Sequence, residues 1–353
     1  MLSYIIRRTL VSIPVILLMA FVVFYLIRQV PAGPFDFVGD RALPPAIREN
    51  LEKRYHLDWP LMWQFTSYVV GDDVALGVCN VAGFIPGCDI IKETPEGVSR
   101  GLIRGDLGES MKQRGRSINT IVGNSFPVSL QLGILSIILG LLIGIPAGVL
   151  AALRQNSWVD YLASFVAVLG LSIPSMVIGP VLIVVFAVKL GWLPAAQWGA
   201  PPPYTLGIIP PLTWDFFKHT IMPVIALGTG LSASIARLTR ASLLQVIRED
   251  YIRTARAKGL KERVVIVRHA LKNSLIPVVT ILGPMVAGVV TGTFVIELIF
   301  AIPGMGKYFI DSITNRDYTL ITSVSVIYGV LLVAANMLVD ITYGWLDPRI
   351  RLD

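Results

Sequence analysis

Few side chains in this sequence are of a type that could carry chemistry, and their spacing rules out most of it. Histidines occur only at 56, 219 and 269, too scattered for the short ligand spacings of a zinc site. Gly304-Met305-Gly306-Lys307 is the string nearest to a phosphate-cradling loop. It lacks the spaced first glycine and the Ser or Thr after the lysine, so ATP hydrolysis by that route is excluded. No serine, cysteine and histidine set forms a nucleophile arrangement. Cys79 and Cys88 share one polar stretch. Two thiols alone make no structural zinc site; facing an oxidising compartment they read as a disulfide, and two free thiols is the other reading.

Acids within apolar runs are the signature of ion-coupled transport when they lie at mid-depth in a membrane. Here Glu297 falls at the outer end of an apolar run, and Asp340 lies in the inner part of the last run, where an arginine can neutralise it. That scarcity argues against a self-powered carrier. The remaining concentration of functional side chains is Glu249 to Pro277, EDYIRTARAKGLKERVVIVRHALKNSLIP. Eight Lys and Arg lie between Arg248 and Lys272. Tyr251 to Lys258 is made of helix formers, and Gly259 stops the helix. A second helix can run from Lys261 to Lys272. Together they make an elbow at Gly259, with Thr254, Ala255 and Ala257 small enough to enter a partner's groove and the cations supplying orientation. A solvated basic loop that only fixes topology is the plainer alternative; Val264 to Val267 and Leu271 weigh against it.

The elements around this elbow are membrane spans. The chain has 353 residues, 54% hydrophobic and 15% charged, with mean hydropathy +0.69; soluble domains are about 25% charged. The net charge of +7 gathers at the ends of apolar segments, as membrane topology requires, and not on a nucleic-acid surface. A span needs roughly 20 apolar residues, with a lower limit of about 17. Six runs qualify: Leu10 to Ile27, Val128 to Leu153, Tyr161 to Val188, Thr220 to Leu244, Leu275 to Ile296 and Thr319 to Leu346. Arg7 and Arg8 before the first run, the basic elbow and Asp347-Pro348-Arg349-Ile350-Arg351 place both termini in the cytoplasm. The first run has no small-residue cleavage site and reads as a retained span.

Between spans, the chain divides into residues 1–29 (first span), 30–127 (an extracytoplasmic segment with an insertion at 72–104) and 128–353 (a five-span core containing the cytoplasmic loop 248–277). A short helix is expected from Pro45 to Tyr55, and Ser117 to Phe126 reads as a separate surface-lying segment. Gly140, Gly144 and Gly148 form one helical stripe for close helix packing. Trp192, Trp198, Tyr204 and Trp214 suit the membrane–water boundary. Arg237 and Arg240 read as snorkelling from the inner end of the fourth span.

The sequence resembles the permeases of binding-protein-dependent ABC importers, specifically the first permease subunit of the dipeptide/oligopeptide/nickel branch. The resemblance is carried by LSYIIRRTLVSIPV, GDLGES at Gly105 to Ser110, EDYIRTARAKGL and RHALKNSLIPVVT. It continues through Glu297 to Phe300, Ile302 to Gly306, Arg316-Asp317-Tyr318, and Asn336, Asp340 and Tyr343. The general importer signature opens Glu-Ala-Ala and later has Leu-Pro. Here those places read Arg253-Thr254-Ala255 and Leu271-Lys272, which favours the peptide branch. The 72–104 insertion exceeds the family pattern.

The resemblance implies an all-α type I ABC importer permease fold with six transmembrane helices, in the cell membrane. It implies no enzymatic activity and no cofactor in this chain, with ATP and Mg bound by partners. Those partners would be a second permease, two ATPase subunits and an extracytoplasmic binding protein that delivers peptides. The ATPases would dock on Tyr251, Arg253, Thr254, Ala255, Ala257, Lys258, Gly259 and Leu260. Nickel or oligosaccharide import by the same mechanism, and a non-conducting assembly subunit, are the alternatives.

Overall fold

The computed structural model describes residues 2–31, 33–36, 43–92, 99–113, 115–292 and 294–346. The C-terminal Asp347 to Arg351 cluster, and Glu93 and Glu96 of the insertion, lie outside the described residues. The described residues are nearly all helical. Among the described residues, four helices are long and apolar enough to cross a membrane: Ile5–Arg28, Ile118–Leu153, Trp214–Val246 and Tyr318–Leu338.

Two further apolar helix pairs are bent at a short break. Trp158–Ser172 and Ser175–Lys189, both within the third span, meet at 97°, and Glu262–Ser274, which belongs to the basic segment 248–277, meets Ile276–Val286 of the fifth span at 46°. The first break follows from Pro174. The residue before a proline is pushed out of the α region, and Ile173 is extended at φ −91°, ψ 115°. Pro277 sits at the second break, in the first turn of the following helix, where its missing N–H is tolerated.

The helices are α1 (Leu2–Arg28), α2 (Pro45–Arg54), α3 (Leu61–Val70), α4 (Asp72–Val81), α5 (Cys88–Lys92), α6 (Ile118–Leu153), α7 (Trp158–Ser172) and α8 (Ser175–Leu182). They continue as α9 (Trp214–Val246), α10 (Asp250–Ala257), α11 (Glu262–Val264), α12 (Leu271–Ser274), α13 (Ile276–Gly292), α14 (Phe294–Ile299), α15 (Met305–Asn315) and α16 (Tyr318–Leu346). The segment read as a separate surface helix, 117–126, is instead the first part of α6. Ile118 and Ile121 are fully buried, so protein rather than lipid covers its apolar face. The chain forms two compact units.

One unit comprises 1–9, 127–306 and 331–353. Its centre is α9. The glycine stripe of α6 lies against it: a Cβ on Gly140 would stand 3.0 Å from Leu231, and one on Gly144 would stand 2.7 Å from the Ser232 carbonyl oxygen. On the next flank Gly170 of α7 faces Ala233, again too close for a larger side chain to enter freely. Gly144→Leu is therefore expected to destabilise this unit by about 1–3 kcal/mol or more through overpacking, read as a lower unfolding temperature of the purified protein in detergent.

The four belt aromatics separate into two pairs. Trp192 and Trp214 are exposed, as a boundary position requires. Trp198 and Tyr204 are buried. Trp198 stands edge-on to Phe216 at 5.5 Å, and its Nε1 donates to Gln131 Oε1 at 2.7 Å. A buried indole N–H needs an acceptor, and Gln131 on α6 provides it. Asp340 of α16 meets Arg8 of α1 at 2.7 Å, so the one acid of the last span has an arginine partner.

The other unit comprises 10–126 and 307–330. Here α3 lies on α1, with Phe65 against Phe21 at 5.1 Å and against Phe24 at 5.3 Å. The insertion is ordered helix over α4 and α5, where the sequence shows little periodicity. Trp59, Trp63, Ala75 and Ile91 enclose its cysteines, which are joined as a Cys79–Cys88 disulfide. Asp72 secures the base of the insertion: it accepts from Ser67 Oγ and from the Ser99 amide (3.1 Å).

The disulfide closes a short loop, and the chain-entropy relation gives it somewhat under ~3 kcal/mol of local stabilisation. Thiol labelling of denatured, unreduced protein should find neither cysteine; labelling of both would reject the bridge. The GDLGES motif and the Arg316-Asp317-Tyr318 motif meet in this unit. Asp317 caps α16 by accepting from Leu320 N–H (3.1 Å), and it also accepts from Ser110 Oγ and from Met111 N–H (3.2 Å).

Candidate functional site

The elbow begins where α9 ends. Glu249 is extended, at φ −69° and ψ 148°, and turns the chain into α10. Asp250 occupies the first turn and Arg256 the last, the charge order the helix dipole favours. An eight-residue helix is too short to persist alone in water, so packing must hold it. Ile252 and Ala255, three positions apart, share one face. Both are buried in a cluster with Ala152, Leu243, Val265, Ile266 and Ala270.

Gly259 makes the corner. Its φ is +76°, in the left-handed region that costs an ordinary residue roughly 1–2 kcal/mol. Its N–H donates to the Arg256 carbonyl at 2.9 Å, which closes the helix end. Lys261 is extended at φ −59°, ψ 137° and starts the second arm. That arm runs through α11, a wide π turn over Val265–Ala270, and α12.

Two polar staples fix the angle between the arms. Arg256 grips Glu262 with Nε at 3.1 Å and Nη2 at 2.7 Å, a bidentate pair that sets orientation as well as distance. Asn273 Nδ2 donates to Tyr251 Oη at 2.8 Å. The pairs are solvent-facing, so their contribution to stability is small; their effect is on geometry.

The structure distributes the sequence-derived residues unevenly. Tyr251, Arg253, Thr254, Ala257, Lys258, Gly259 and Leu260 are exposed on the outward side of the elbow. Ala255 is not among them: at 7% exposure it faces inward with Ile252. Its small size admits α10 close to the chain's own helices rather than to a partner. The outward surface is a shallow cationic ridge with small residues at its crest.

Two polar clusters in this unit escaped sequence reading. Arg240 of α9 grips Asp160 of α7 with Nε–Oδ1 at 2.6 Å and Nη2–Oδ2 at 2.8 Å. Arg240 therefore does not snorkel as the sequence predicts. Its partner is eighty positions away, and nothing local signals it. The second cluster surrounds Glu297, whose side chain is fully buried. Ser129 Oγ donates to Oε1 at 2.7 Å and accepts from Met305 N–H at 2.8 Å, while Gly306 N–H donates to Oε2 at 2.8 Å. A Cβ on Gly304 or Gly306 would collide with this carboxyl group. Two glycines just downstream of a lone acid are the signal that could have found it.

Residues 144–352 match the family described as binding-protein-dependent transport system inner membrane component, and residues 1–86 match its N-terminal region. The dipeptide transport system permease protein DppB of Bacillus subtilis is 41% identical over 100% of this chain and 99% of its own length. The oligopeptide transport system permease protein OppB of Salmonella typhimurium is 38% identical over 99% of this chain and 100% of its own.

Among solved structures, inward-facing crystal forms of the MetNI methionine ABC transporter match 62% of this chain and 93% of theirs, at 18% identity and TM-scores of 0.50 and 0.51. That likeness speaks to fold, which is that of an ABC importer permease. The chain belongs to the family of binding-protein-dependent transport system inner membrane components.

Proposed function

We propose that this chain is a permease subunit of an ATP-driven peptide importer. It forms the transmembrane path with a second, similar permease and receives di- or oligopeptides from an extracytoplasmic binding protein. The observation that carries the substrate class is full-length similarity to dipeptide and oligopeptide permeases. ATP and Mg belong to two partner ATPase subunits, which dock on the outward ridge of the elbow at Arg253, Thr254, Ala257, Lys258 and Leu260. Closure of the ATPases pushes α10. Because Ile252 and Ala255 share one buried cluster with Leu243 of α9 and Ala152 of α6, the push is passed through that cluster to two spans, and rocking of the spans alternates access.

The test is reconstitution with the predicted partners in liposomes. Addition of binding protein with a dipeptide or oligopeptide should stimulate ATP hydrolysis and drive peptide uptake. Stimulation by nickel or an oligosaccharide instead would replace the substrate class. Assembly without any stimulated hydrolysis would favour a non-conducting subunit.

A further inference from the structure

A cavity of about 280 Å³ opens between α6, α7 and α9. Its walls are small and apolar: Gly148 on α6, Ala163 and Ala167 on α7, Ala236 on α9. Two arginines line it, Arg237 and Arg240. They differ in charge balance. Arg240 is neutralised by Asp160, whereas Arg237 is exposed and makes no ion pair among the described residues. Arg237 precedes the end of α9 at Val246 by roughly 14 Å of helix at ~1.5 Å per residue. It therefore lies in the half of the span next to the basic elbow, the cytoplasmic half. The neighbouring outer face of α7 carries exposed Trp158, Tyr161 and Phe165, side chains suited to the lipid interface.

We propose that this chamber holds an anionic phospholipid of the inner leaflet, with its phosphate on Arg237 and an acyl segment against the Ala and Gly walls. A free cation at the mouth of an apolar chamber matches a ligand that is anionic at one end and hydrocarbon at the other. Free phosphate would match only the first half, leaving the walls unused. Basic pockets between spans on the cytoplasmic side take lipid headgroups by the same physics, with each cation near the surface adding about 1 kcal/mol.

The test uses the transporter with its partner subunits in nanodiscs and lipids carrying a photoactivatable acyl chain. Labelled segments are mapped by mass spectrometry. Phosphatidylglycerol should label 163–168 and 236–241 about fivefold more than phosphatidylcholine, the ratio corresponding to one surface cation. Arg237→Gln should bring the ratio close to one. Arg154→Gln, which removes an exposed cation that does not line the chamber, should leave it unchanged. Ala167→Leu, which fills the chamber, should lower labelling by both lipids. Excess inorganic phosphate should not compete. Equal labelling by the two lipids, or an unchanged ratio in Arg237→Gln, would overturn the proposal. Displacement by inorganic phosphate would assign the site to a soluble anion, and no labelling of either segment by any lipid would mean that a protein subunit covers the face.

Discussion

Gly259→Pro should abolish peptide-stimulated ATP hydrolysis while leaving the spans folded. Gly259 holds φ +76°, and proline is confined to about −65°. Proline also lacks the N–H that donates to the Arg256 carbonyl at 2.9 Å. Both losses fall on the corner of the elbow, so α10 can no longer lead into α11 at its present angle. The damage is local, because a Cβ at 259 would meet nothing within 4 Å.

A change of ~1.4 kcal/mol in an interaction equilibrium is already tenfold, and breaking the corner exceeds it; the loss of stimulated hydrolysis should be at least about tenfold. Gly259→Ala keeps the N–H and pays only the left-handed strain, roughly 1–2 kcal/mol, so it should fall between wild type and proline. Stimulated hydrolysis by the reconstituted transporter, alongside the amount of assembled complex, is the measurement. Full coupling in the proline variant would remove the lever.

The largest expected stability loss is at Glu297. Glu297→Ala strands the Gly306 N–H and one contact of Ser129, and leaves a void where the fully buried side chain stood. Each unsatisfied buried group costs about 1–3 kcal/mol, so a total of ~2–5 kcal/mol follows once relaxation is allowed for. Glu297→Gln should lose much less. Its oxygen can still accept from Gly306, and the Ser129 hydroxyl can turn to accept from the new amide. Unfolding temperatures of the two variants in detergent distinguish these cases. Equal and small shifts for both would mean that the cluster does not hold the 302–306 loop as its geometry implies.

The spans were legible in the sequence because length and hydropathy decide them, and the elbow because Gly259 interrupts an otherwise helix-forming basic stretch. The short helix at Pro45–Arg54 followed from its proline start. What was not legible depends on distant partners. Ile252 and Ala255 alternate with polar neighbours as a surface helix would, and only contact with Leu243 and Val265 shows that Ala255 faces inward. Trp198 reads as an interface residue until Gln131 is seen to accept its N–H. Arg240 reads as a snorkelling cation until Asp160 is found beside it. The ordered helices of the insertion are held by Trp59 and Trp63 closing on the Cys79–Cys88 bridge, a contact that periodicity does not encode.

In the proposed transporter the outward ridge of the elbow receives the ATPase. A photo-crosslinking residue placed at Thr254, exposed on that ridge, in the assembled transporter is the most direct test. An adduct should form between this chain and an ATPase subunit, and none from the same residue placed at Leu298, exposed on α14. Adducts from Thr254 only to lipid, or to no subunit at all, would contradict it.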